Sequence, residues 1–261
     1  MIFFAIHRFP TQALLNSNNP FFLLLVLIPF CFQYMKIMAN TIKIDVISDF
    51  ACPWCYVGKA RMEAAVSQFQ SQSPDVSFVI QWHPYMIDLG TQPVGEEYLA
   101  YNRRRWGGDG WTRSLKRAGA QDGLRFASWV TWPNTFNAHR LMQIVQDKAE
   151  RGEVGMEKQG EVKDSIFKCI YEEGGNASNV EDLVRIAEGC GLDAQEVRAF
   201  LESEELKSEV AQKDRYAKQD LDVSGVPFFI IQKHQESDKK PTVLNGAAEC
   251  EQFLSAFSRY V

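Results

Sequence analysis

The sequence predicts an α/β fold: one mixed sheet assembled from two separated halves, with a large all-helical subdomain inserted between them. Three observations predict it. An apolar, β-rich run at Ile42–Ser48 leads straight into a helical pattern at Pro53, and a second β-rich run follows at Val76–Trp82. The next long stretch, about residues 96–220, carries almost nothing but helical periodicity. Strand pattern then returns at Val226–Ile231 and Thr242–Gly246, and an amphipathic segment from Ala247 to Tyr260 follows.

At 261 residues, 46% hydrophobic and 23% charged, the chain has ample material for a core of one or two domains. Its net charge of −5 lacks the basic footprint of a nucleic-acid binder. Residues 1–40 stand apart. They contain no Asp or Glu, and Pro20–Phe32 is a continuous apolar run. That run is shorter than the ~20 residues of a membrane span. It reads as a signal-peptide core, as an anchor, or as a dispensable extension ahead of a start at Met35 or Met38, the flank before it offering only His7 and Arg8 as positive charges. A genuine signal or anchor makes the protein secretory or membrane-associated. Otherwise the scattered cysteines suit a reducing, cytoplasmic setting.

From residue 41 on, each element has its reason. In the helix Pro53–Phe69, Val57, Ala60, Ala64, Ala65 and Phe69 recur at helical spacing and form an apolar face. Ser71–Asp75 supplies turn residues before the second strand, so strand, helix and strand form a βαβ unit with a right-handed crossover. Prolines and glycines at 84–96 make a loop. The inserted helices are predicted at Glu96–Arg105, Trp111–Ala118, Thr135–Arg151, Glu157–Glu172, Asn179–Cys190, Asp193–Ser203 and Glu204–Asp220. Asn179 precedes Glu181 and Asp182, Asp193 has Glu196 three residues on, and Gly191 follows as a stop. The two late strands, the polar turn Gln232–Lys240 between them and the last helix form a ββα unit.

The chemistry concentrates at Cys52-Pro53-Trp54-Cys55, on the junction between the first strand and its helix. Cys52 falls at the helix N-cap, where unpaired N–H groups and the macrodipole favour a thiolate. Pro53 fits the first helical position, where its missing N–H costs nothing. Cys55, a turn further in, is placed to close a disulfide with Cys52 and to be the more shielded sulfur. Of six cysteines only these two are closely spaced; Cys31, Cys169, Cys190 and Cys250 are scattered, the last three on apolar helix positions as packing residues. A second C-x-x-C is missing and the four histidines show no paired spacing, so redox chemistry is favoured over a zinc site. No Gly-rich dinucleotide fingerprint opens a helix after a strand.

Three motifs carry a resemblance: Ser48–Lys59 around the dithiol, Asn134-Thr135-Phe136-Asn137-Ala138-His139-Arg140, and Ser224-Gly225-Val226-Pro227-Phe228-Phe229. Together they resemble the DsbA-like branch of the thioredoxin fold, and most closely the FrnE-type oxidoreductases, over about residues 41–260. The resemblance implies a thiol–disulfide oxidoreductase with Cys52 as nucleophile and Cys55 as resolving thiol. Pro227 would be a cis proline packed against the dithiol, and the backbone of Val226 would hydrogen-bond the substrate. Trp54 and His139 complete the substrate-binding set that it suggests. No bound cofactor or metal is implied. The partner is a thiol or disulfide, on a protein or on glutathione as co-substrate.

Two rivals remain. One is a glutathione-dependent isomerase or transferase of the kappa and hydroxychromene-carboxylate isomerase type, which usually carries serine at the first cysteine position. The other is a non-catalytic holdase using the cleft between subdomains. Around the dithiol several roles stay open. Asp45 reads either as a carboxylate under the helix that takes the Cys55 proton or as a solvated strand residue. Asp49 has the same ambiguity, with a local turn or cap as the simpler role. His139 and Arg140 line the cleft or are structural, and Asn134 and Asn137 cap a helix or touch a ligand. Arg103-Arg104-Arg105-Trp106 with Trp111 is a charged helix face or a patch for the carboxylates of glutathione or an acidic peptide. Asn176-Ala177-Ser178 fits a glycosylation sequon that matters only if the chain is secreted.

Overall fold

The computed structural model describes residues 40–234 and 239–261. The readings of the N-terminal segment therefore fall on residues 1–39, outside the described part. Chain order is β1 (Thr41–Ser48), α1 (Pro53–Gln72), β2 (Ser77–Pro84), β3 (Glu96–Glu97), α2 (Tyr98–Trp106), α3 (Thr112–Gln121), β4 (Thr131–Trp132), α4 (Phe136–Glu150), α5 (Glu157–Tyr171), α6 (Val180–Gly189), α7 (Ala194–Glu202), α8 (Lys207–Gln219), β5 (Phe228–Lys233), β6 (Thr242–Asn245) and α9 (Cys250–Phe257). The four-stranded sheet runs β2-β1-β5-β6, with β1 parallel to β2 and antiparallel to β5, and β5 antiparallel to β6. The mixed sheet with helices inserted between its halves is thus present.

The period-2 alternation of β1 sorts its side chains between two cores. Ile42, Ile44 and Val46 pack with Phe229 and Ile231 of β5 against Met62, Ala65 and Phe69 of α1 and Phe253 and Phe257 of α9. Ile47 faces the other way, against Tyr85, Ala217 of α8 and Val223. A third core fills the insertion and reaches the sheet end, where Phe50, Cys52, Cys55 and Tyr56 join Leu141, Phe167 and Tyr171. The dithiol sits where that helical core meets the sheet. Among the described residues, no helix is long and apolar enough to cross a membrane.

Several expectations need correction. Glu96 and Glu97 form a short antiparallel ladder with Thr131 and Trp132 before α2 begins, and the Glu97 carboxylate then caps that helix through Leu99 N and Ala100 N. The last inserted helix starts at Lys207 rather than Glu204 because Leu206 takes a left-handed conformation. The Glu249–Gln252 capping box starts α9 at Cys250. The predicted apolar face of α1 is only partly right: Ala64 is exposed and Ala60 half-buried, whereas Lys59 and Arg61 are buried. The reason is that α1 is covered by α9 on one flank and by the insertion on the other. Arg61 pairs with Asp122 at 2.8 Å and Glu249 at 2.6 Å, and Lys59 pairs with Glu63 and Asp164, both at 2.8 Å.

Candidate active site

The chain leaves β1 at Ser48, makes a turn through Asp49–Ala51 and enters α1. Cys52 is the N-cap residue, in extended conformation with φ −86° and ψ 110°, and Pro53 occupies the first helical turn. No side chain caps this terminus, so the sulfur stands alone at the positive end of the helix. Cys55 lies a turn deeper. Both are free thiols, Cys52 7% exposed and Cys55 1%. Burial pushes the Cys55 thiol well up, reinforced by the neighbouring Cys52, while bonds from Ser48 and the Asp49 backbone oppose the rise.

Facing the dithiol is the Val226–Pro227 peptide, which is cis. The Cys52 thiol donates to the Val226 carbonyl at 3.4 Å, joining residues 174 apart in sequence. Pro227 is buried, and Gly58 of α1 lets it come close. A Cβ at Gly58 would sit 2.8 Å from Pro227 Cγ and 3.3 Å from Phe229 Cζ and Ala247 Cα. Overpacking of this kind costs about 1–3 kcal/mol, against a gain of up to about 1 kcal/mol from helix propensity. Gly58→Ala is therefore expected to destabilise the protein by about 1–2 kcal/mol in urea unfolding. A neutral or stabilising result would mean that Pro227 does not press on α1.

The turn is held from three sides by Asp49, which is 1% exposed. Its Oδ1 accepts from Ala51 N at 3.1 Å and from the Thr135 hydroxyl at 2.6 Å, and its Oδ2 accepts from Ile87 N at 2.8 Å. Its own N–H donates to Cys55 Sγ at 3.5 Å. A second tie comes from Tyr171 at the end of α5, whose phenol donates to the Phe50 carbonyl at 3.0 Å. Burial and the nearby Cys52, Asp49 and Cys55 push the Tyr171 hydroxyl well up, so it stays a donor. Beside Ala51 a cleft of about 180 Å³ opens between Met86–Leu89 and the Trp132–Phe136 turn.

The chain that carries this dithiol also matches a described family. The DSBA-like thioredoxin domain family fits residues 43–258. The chain belongs to that family. An uncharacterized Bacillus subtilis protein, YwbO, is 25% identical over 218 residues, spanning 84% of this chain and 96% of that one. Among solved structures, a "probable DsbA oxidoreductase" from Streptomyces coelicolor is 28% identical with a TM-score of 0.69, covering 84% of this chain and 89% of that one. A 2-hydroxychromene-2-carboxylate isomerase shares the fold at 17% identity and a TM-score of 0.54, covering 83% and 95%.

Within this DSBA-like domain the remaining candidates separate. Val226 is half-buried beside the Cys52 sulfur, and Trp54 is half-buried against the helical core. His139 is 6% exposed and lies behind the turn, its Nε2 3.5 Å from Asp49 Oδ1 and its ring 5.1 Å from that of Phe50. Arg140 is fully buried and structural: its guanidinium donates to the carbonyls of Phe200, Leu201, Ser203 and Glu205 and to Asn137 Oδ1. It ties α4 to the α7–α8 junction.

Asp45 corrects the idea of a carboxylate under α1. Alternation puts it on the Ile47 face, away from α1, where it bonds His83 Nε2 at 2.7 Å and Lys43 at 3.0 Å. Burial raises its pKa, but these two partners outweigh that and hold it below the ordinary value.

The basic patch is largely spoken for. Arg104 pairs with Glu96 at 2.7 Å, Arg105 lies over the Trp106 ring, and the Trp111 indole donates to Asn102. Asn134 receives the Phe136 N–H and donates to the Thr91 carbonyl, an internal role. In the sequon, Asn176 donates to the Val94 carbonyl. Cys169 is buried, with its thiol pushed up to about 11 by burial and by Asp182. Thr135 and Tyr171 hold the turn through long-range contacts that residue type alone does not signal. Gly58 did leave a signal, as a glycine inside a helical pattern.

Proposed function

We propose that this DSBA-like protein is a thiol–disulfide oxidoreductase that works through Cys52 and Cys55. The Cys52 thiolate attacks one sulfur of a substrate disulfide, whose bond breaks and whose other sulfur leaves as a thiolate. The resulting mixed disulfide is then attacked at the Cys52 sulfur by Cys55, which forms the internal disulfide and releases the second substrate thiolate. The observation that carries this reading is the Cys52 thiol at an uncapped helix N-terminus, 3.4 Å from the Val226 carbonyl and above a buried Cys55. Val226 and Pro227 present the substrate backbone, Trp54 flanks it, and the cleft beside Ala51 takes the portion beyond the sulfur. Electrons enter and leave through thiols, so glutathione or a protein dithiol suffices and the reaction needs no bound metal, flavin or nicotinamide.

Redox titration of the full chain against glutathione, read by thiol trapping, tests this. A Cys52–Cys55 disulfide is expected. A potential near about −270 mV would make the protein a reductant, and one near about −120 mV an oxidant. Absence of that disulfide under every glutathione ratio would sink the reading and favour glutathione-dependent isomerisation.

A further inference from the structure

Closing the Cys52–Cys55 disulfide requires Cys55 to lose a proton from a sulfur that is 1% exposed. The substrate side of the site is occupied at that moment by the departing sulfur, so the proton must leave from behind. There the Asp49 N–H meets the Cys55 sulfur at 3.5 Å, and the hydroxyl of the preceding residue, Ser48, is close enough to oppose the rise of the Cys55 thiol. Ser48 also lines a cavity of about 20 Å³ together with Phe50, Trp82, His83, Met142 and His139. That space fits one water. His139 Nε2 has no hydrogen-bond partner although the residue is 6% exposed, and it lies 3.5 Å from the carboxylate oxygen Asp49 Oδ1. An imidazole without a committed partner, beside a buried carboxylate and on a water-sized cavity, is equipped to take a proton.

We propose that His139 accepts the Cys55 proton, relayed by the Ser48 hydroxyl and one water in this cavity. The inference rests on the dithiol reading above. In the step, Cys55 sulfur attacks Cys52 sulfur; the bond between Cys52 and the substrate sulfur breaks, and its electron pair leaves as substrate thiolate, which is protonated by solvent. The Cys55 proton passes to Ser48 Oγ as the Ser48 proton passes to the water, and the water gives one to the imidazole. A hydroxyl can serve because it both accepts and donates. Asp49 stabilises the imidazolium, which returns its proton to solvent before the next turnover. His83 lines the same cavity, but its Nε2 is committed to Asp45 on the opposite face of β1.

The other ionisable groups around His139 are Asp49 and Cys55 on the turn and α1, the Asp45–His83 pair on the strands, Tyr171 on α5 through Phe50, Lys163 on α5 over the Trp82 ring, and Lys213 on α8, which donates to Gln143. Asp49, Tyr171, Lys163, Lys213 and the Asp45–His83 pair are kept in every variant of the test, and Cys55 is replaced only in the background that reads Cys52 alkylation. The full-length protein is loaded with oxidised glutathione, and glutathione release on ring closure is followed by stopped flow across about pH 5–8. His139→Gln and Ser48→Ala are each expected to slow closure by about 100-fold and to flatten its pH profile, with Ser48→Thr restoring both. Cys52 alkylation, measured in a Cys55→Ser background, is expected to change far less than closure.

Closure by His139→Gln at the wild-type rate and with the wild-type pH profile overturns the proposal. So does an equal slowing of closure and of Cys52 alkylation, which marks a loosened turn. If His139→Gln does not fold, the Ser48→Ala and Ser48→Thr pair decides by the same criteria. A wild-type protein that never forms the Cys52–Cys55 disulfide instead fails the dithiol reading itself.

Discussion

Cys55→Ser should turn the protein into a covalent trap, and Cys52→Ser should silence it. The asymmetry follows from position. Cys52 is the sulfur at the helix N-terminus and the one that reaches the Val226 carbonyl, so under the proposed dithiol mechanism it is the thiol that meets the substrate first. Cys55 is 1% exposed, with its sulfur against the Asp49 N–H of the turn. With serine at 55, attack by Cys52 proceeds but nothing displaces the substrate, and a mixed disulfide on Cys52 accumulates. The serine oxygen still accepts the Asp49 N–H, so the turn survives the change. With serine at 52 there is no nucleophile, and turnover should fall by on the order of 10³-fold or more. Intact-mass spectrometry after incubation with oxidised glutathione reads the first outcome, and a disulfide-exchange assay the second. An adduct on Cys55 in the Cys52→Ser protein, or turnover surviving that change, would reverse the assigned roles.

The parts of this molecule legible in its sequence are those governed by local rules. The β-rich run of Ile42–Ser48, the Pro53 helix start and the caps at Asn179 and Asp193 each reflect neighbours within a few residues, and the elements stand within a few residues of where those signals put them. The β3–β4 ladder was not legible, because two residues carry no periodicity and Glu-Glu has poor strand propensity. Nor was the burial of Lys59 and Arg61, which depends on what covers α1 from distant parts of the chain. The candidate site divides along the same line. The thiols and Val226-Pro227 are visible as motifs. Asp45 and Asp49 look alike in sequence as acids flanking the dithiol. Strand alternation sends Asp45 to the far face, and contacts with Thr135 and Ile87 draw Asp49 into the turn. His139 was visible only as a motif residue; its place behind the turn required the fold.

Asp49→Ala should be among the most destabilising single changes in the domain, at about 3–5 kcal/mol, or roughly 10 °C in Tm. A carboxylate that is 1% exposed satisfies Ala51 N, Ile87 N and the Thr135 hydroxyl, and its removal leaves buried donors without partners on both sides of the sheet–insertion boundary. Asp49→Asn should cost about half as much. Its carbonyl oxygen can replace Oδ1, but its amide then opposes the Ile87 N–H, donor against donor. Urea unfolding of the reduced proteins measures both, and a loss for Asp49→Ala under about 0.5 kcal/mol would show that the turn stands without its carboxylate. A double-mutant cycle with Thr135→Val goes further. The two residues are 86 apart in sequence and belong to different halves of the structure. A coupling of about 1–2 kcal/mol would show that the inserted helices hold the dithiol turn in place, whereas additivity would assign that work to the sheet half alone. The same carboxylate orients the N–H that Cys55 accepts. If the coupling is real, loosening Thr135 should also change the rate of Cys55 attack, so the helical insertion would set the timing of disulfide closure as well as roofing the site.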